Sequence, residues 1–163
     1  MGKNKSKAEN KGLISISANP PAISNSDGMM FIVMALLGAS SPVCTLLIFG
    51  SDIMNNLQYV IIALGISITL LIMGYHSLAT KYRTKMYNEI KGLNVEDNNQ
   101  DTLPRIHSEA AMKSLYTTNI IFQILFLIFV TTSVQFASVP RYMISSIASA
   151  ACTLFTVYLL CAL

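Results

Sequence analysis

Hydrophobic and polar positions separate along this chain into long blocks. Residues 29–49, 57–75, 120–139 and 142–162 contain no Asp, Glu, Lys or Arg, and every charged side chain falls before or between them. Each block is about 20 residues long, the length at which a helix rising ~1.5 Å per residue crosses a hydrocarbon core roughly 30 Å thick. The pattern predicts an all-α integral membrane protein with four transmembrane helices. Short polar turns join the first block to the second and the third to the fourth, so the spans are expected as two antiparallel hairpins, 29–75 and 120–163. Val139-Pro140-Arg141 is read as the second of these turns, and Pro42 predicts a bend in the first span, where it removes a backbone donor.

The connecting segment, 76–119, is expected to form a cytosolic helical hairpin loop. From His76 to Lys91 there is neither Gly nor Pro, so helix 2 is predicted to run on beyond the bilayer until Gly92 supplies a stop. Asn94–Asp101 reads as a polar loop tip. Ser108 is a candidate N-cap, with Glu109 in the first turn of a helix leading into span 3. Residues 1–28, rich in Lys, Asn, Ser and Pro, are expected to be a disordered cytosolic tail, and the first span reads as a retained signal anchor. Met1 to Ser6 fits the pattern for myristoylation of Gly2, and Asn4-Lys5-Ser6 is a glycosylation sequon that only a lumenal tail could use.

Composition agrees with the membrane class. The 163 residues are 53% hydrophobic and 12% charged, against about 25% charged in soluble domains. Of the 11 Lys and Arg residues, Lys3, Lys5, Lys7 and Lys11 lie in the tail, and Lys81, Arg83, Lys85, Lys91, Arg105 and Lys113 in the central loop. The positive-inside bias places both regions, and with them both termini, on the cytosolic side. A net charge of +3 is too small for a general nucleic-acid binder.

Catalysis or ion transport in a membrane leaves ionisable residues within the spans, and none of the four blocks has one, so no enzyme and no cofactor are expected. Cys44, Cys152 and Cys161 read as small buried hydrophobes, with no metal site. His76 and His107 read as solvated loop residues. Small residues four apart, which let helices approach closely in lipid, nominate packing faces: Ala35 with Ala39, Ala63 with Ser67, Gly65 with Thr69, Ser145 with Ser149, and Ala148 with Cys152. The basic run of Lys81, Arg83, Lys85 and Lys91, interleaved with Tyr82 and Tyr87, is the candidate functional surface. Two readings stand open for it: contact with anionic headgroups of membrane lipids, or docking of an anionic macromolecule such as RNA.

Three short stretches resemble a known family. Phe31-Ile32-Val33 opens the first span; Glu109-Ala110 followed by Tyr116-Thr117-Thr118-Asn119 precedes the third; Tyr142-Met143-Ile144-Ser145-Ser146-Ile147-Ala148-Ser149 opens the fourth. With the layout of residues 29–163, they resemble the gamma subunit of the translocon-associated protein (TRAP, signal sequence receptor) complex of the endoplasmic reticulum. The resemblance implies a four-helix, non-enzymatic subunit of the ER membrane. Its implied partners are sister TRAP subunits, the protein-conducting channel, and the rRNA and protein of the large ribosomal subunit. Lys81, Arg83, Lys85 and Lys91 become candidate ribosome contacts by their place in the cytosolic loop. An accessory subunit of another organellar membrane complex, or a small transporter or channel, is the alternative.

Overall fold

The computed structural model describes residues 25–48, 53–92, 99–133 and 139–163, and 98% of them are helical. Helix α1 spans Asn25–Ile48, α2 Leu57–Gly92, α3 Asn99–Ser133 and α4 Val139–Ala162, with a short 3-10 turn at Met54–Asn56 leading into α2. Each helix is long and apolar enough to cross a membrane. The protein is a multi-pass membrane protein.

The helix boundaries depart from the sequence expectation in three places. First, α1 begins at Asn25, so Asn25–Gly28 is helix rather than tail. Asp27 in the first turn suits the positive end of the helix dipole. The expectation of disorder over residues 1–24 lies outside the described residues. Second, α3 begins at Asn99 and runs through Pro104. Ser108 is therefore internal and caps nothing: its hydroxyl donates to the Arg105 carbonyl one turn back. Third, Val139-Pro140-Arg141 is not a turn but the start of α4, where a proline early in the first turn loses no intrahelical bond. Helix α1 also continues through the buried Pro42 to Ile48.

Helix α2 contacts all three other helices and packs most extensively on α4. The contacts fix relative direction. Asp27 meets Arg83 while Gly38 lies beside Leu71, so α1 and α2 run oppositely. Ser67 meets Ser146 and Lys81 meets Leu160, so α2 and α4 run the same way. These pairs also set the start of α1 and the end of α4 level with residues 81–83 of α2. Helix α2 then continues nine residues past Arg83 to Gly92, about 14 Å at 1.5 Å per residue.

The distribution of side chains is inverted relative to a soluble protein. Ala35, Ala39, Ala63, Ala79, Ala110, Ala111, Ser67 and Ser149 are buried, whereas Leu37, Leu47, Ile61, Leu127, Ile144 and Phe155 point outward. Lipid is as apolar as leucine, so burying leucine gains little there; close backbone approach and van der Waals packing hold the helices together. Larger side chains fill two clusters. One contains Phe31, Leu71, Tyr75, Leu115 and Phe122, and the other Leu46, Val60, Phe126, Val130 and Tyr142.

Candidate functional site

The five small-residue pairs divide by face. Ala35, Ala39, Ala63, Ser67, Ser145 and Ser149 are buried between helices. Gly65 and Thr69 face outward, and a Cβ added at Gly65 would meet nothing within 4 Å. Two residues of offset rotate a helix by about 200°, so 63/67 and 65/69 cannot both face inward. Ala148 is half-buried and Cys152 exposed. The cysteines also differ from expectation: Cys44 and Cys152 are exposed and Cys161 partly so. They lie on the outward faces of their helices.

The inward faces carry polar contacts between helices. Ser67 and Ser146 hydroxyls lie 3.1 Å apart. The Gln123 amide donates to the Ser41 hydroxyl at 3.0 Å, and that hydroxyl is 3.2 Å from Gln123 Oε1. The Tyr75 hydroxyl donates to Asn119 Oδ1 at 2.6 Å. The same oxygen sits where a side chain at Gly38 would go, 2.8 Å from an ideal Cβ. A Cβ there would force the Asn119 amide, held by Tyr75, to move.

The basic run splits by helical phase. Arg83 continues the buried stripe of Tyr75 and Ala79, four residues apart each time, and is 3% exposed. Its Nη2 donates to Asp27 Oδ2 at 2.7 Å, joining α2 to the first turn of α1. Arg83 is thus withdrawn from the surface to which the sequence assigned it. His107, from α3, completes the cluster. It lies beyond Lys113, outside the uncharged part of α3, and its pKa is pushed below the usual 6.5 by burial, then by the Arg83 charge, with Asp27 opposing.

Lys81 and Lys85 lie on the opposite side of α2, one turn apart. Lys81 donates to the Leu160 carbonyl near the end of α4, where a cation complements the negative end of the helix. Lys85 is exposed. Together with Ser77, Thr80, Thr84, Asn88 and Glu89 of α2, and Tyr158 and Cys161 of α4, they line an open groove of about 770 Å³. Lys91 belongs to the last turns of α2, and its side chain lies outside the described residues. Tyr82 is partly buried, its hydroxyl 3.4 Å from that of Thr117. His76 is exposed. Among the described residues, no group of His, Cys, Asp or Glu could hold a metal ion.

Asp27 was missed by sequence reasoning, although a signal existed. It is the one acidic residue at the entrance to span 1, and Arg83 shares the phase of Tyr75 and Ala79 instead of that of Lys81 and Lys85. Fold and site define a helical, multi-pass membrane protein with a few polar contacts between its helices, and among the described residues its exposed lysines gather at one end of the bundle. No protein-family model and no curated protein matches the chain.

Proposed function

We propose that this protein is a non-enzymatic accessory and docking subunit of the ER protein translocon, similar in role to TRAP gamma. Its four spans form two antiparallel hairpins with both termini in the cytosol. The α2–α3 extension stands on the cytosolic face, binding the ribosome and its neighbours in the membrane to assist entry of secretory and membrane proteins. The observation that carries the reading is the overhang. Helix α2 is 36 residues and α3 35, about 54 and 52 Å, against roughly 30 Å of hydrocarbon. Their shared projecting end carries Lys85, Lys113 and Arg105 in the open. A rigid, charged pair of helices standing off the membrane suits a docking element better than a transport path.

Purification of the tagged protein in mild detergent tests this. Co-recovery of the protein-conducting channel, sister subunits and ribosomes is expected. A preparation free of channel and ribosomes overturns the reading, and a fluorescent fusion located in another organelle favours an accessory subunit of a complex there.

A further inference from the structure

The groove between α2 and α4 changes character along its length. At its outer end stand Asn88, Glu89 and Lys85; next come Thr84, Lys81 and Thr80; then Ser77 and Tyr158. One turn further into the bundle, on the same two helix faces, are Met73 and Phe155, both exposed large hydrophobics. Charge gives way to hydroxyls and then to apolar surface over about four helical turns. Lys81 reaches the Leu160 carbonyl near the end of α4, so it stands level with the end of the fourth apolar block, and Lys85 lies one turn beyond it.

We propose that this groove binds the phosphate headgroup of an anionic glycerophospholipid, held by Lys81 and Lys85, with its acyl chains lying over Met73 and Phe155. The Lys81 ammonium has three hydrogens, and one contact to Leu160 leaves others for a phosphate oxygen. Lys85, one turn outward, is exposed and points along the same face. The Thr80 and Thr84 hydroxyls are already committed as donors, to the His76 and Thr80 carbonyls, so the lysines supply the recognition. Tyr158 places an aromatic ring at the interface, where amphipathic rings are favoured. Lining charges of Lys81, Lys85 and Glu89 leave one net positive charge, complementary to an anionic headgroup. A water-soluble anion would gain nothing from the apolar surface at Met73 and Phe155, one turn beyond the groove.

The full chain is reconstituted in nanodiscs with equal phosphatidylserine and phosphatidylcholine, released into mild detergent, and weighed by native mass spectrometry. One retained phosphatidylserine is expected, preferred over phosphatidylcholine by roughly tenfold or more from two interfacial lysines. K81Q/K85Q should abolish the preference and K81R/K85R keep it. K113Q, which removes an exposed lysine outside the groove, should leave it intact. Equal retention of the two lipids, or a preference untouched by K81Q/K85Q or equally lost in K113Q, overturns the proposal. Displacement of the lipid by millimolar glycerophosphoserine, which lacks acyl chains, also overturns it, since the site would then read phosphate alone.

Discussion

Asp27 and Arg83 are 56 residues apart in sequence and 2.7 Å apart in space, both largely withdrawn from solvent. The pair joins the first turn of α1 to α2 at the level where the bundle changes from apolar to charged. Only one guanidinium nitrogen reaches the carboxylate, and Arg83 Nε meets no acceptor.

Removing one partner leaves the other charge buried and unpaired, which costs about 3–5 kcal/mol, while replacing both with apolar groups is often neutral. Asp27→Asn and Arg83→Gln should each lower the thermal midpoint in mild detergent markedly. D27L/R83M should recover most of the loss. Because a single nitrogen makes the contact, Arg83→Lys should be milder than Arg83→Gln.

His107 should make that junction sensitive to acid. Its folded pKa lies below 6.5, so the fold prefers the neutral imidazole. The stability it contributes is fully present above about pH 6.5 and is lost as pH falls from there toward the folded value. Arg83 of α2 and Asp27 of α1 are the charges that act on it, while Arg105 and Glu109, two residues to either side on α3, lie about 200° round the helix and pair with each other. A thermal midpoint that drops below pH 6.5 in the parent, and drops less in His107→Gln, is the expected result.

Two glycines should respond oppositely to alanine. Gly38→Ala places a methyl group 2.8 Å from Asn119 Oδ1, which Tyr75 holds. It should destabilise the bundle by about 1–3 kcal/mol, as overpacking does. Gly65→Ala meets open space and should be neutral or stabilising by up to about 1 kcal/mol, from helix propensity. Denaturant titration of the two variants in one micelle system compares them directly.

The contact between Ser41 and Gln123 should be modest despite its apolar setting. Interhelical hydrogen bonds in membranes average about 0.6 kcal/mol, because the separated helices find other partners. A double-mutant cycle of Ser41→Ala and Gln123→Leu should give a coupling near that figure, and a value above about 2 kcal/mol would contradict this account.

The four membrane-crossing helices and the continuation of α2 to Gly92 were legible in the sequence, because uninterrupted apolar runs and the absence of Gly and Pro are local signals. Which small residues face inward was not. Ala63/Ser67 and Gly65/Thr69 have identical spacing, and only the neighbouring helices choose between them. The contact of Tyr75 with Asn119, made in the space that Gly38 leaves open, draws on three helices, so no single segment announces it. Arg83 was read with its lysine neighbours by proximity along the chain, when its phase on the helix set it with Tyr75 and Ala79. Ser108 looked like a cap because nothing in sequence weighs a proline six residues into a helix against the packing of Ile106 and Ala110, both buried.

The heavy packing of α2 on α4 has a consequence for biogenesis. A ribosome delivers the second helix long before the fourth, so Ser67 enters the bilayer while Ser146 is still unmade. Until that fourth helix arrives, the broadest contact face of α2 must be shielded by lipid or by an insertion factor. Synthesis halted between the two would strand a half-built bundle, exposed to membrane quality control.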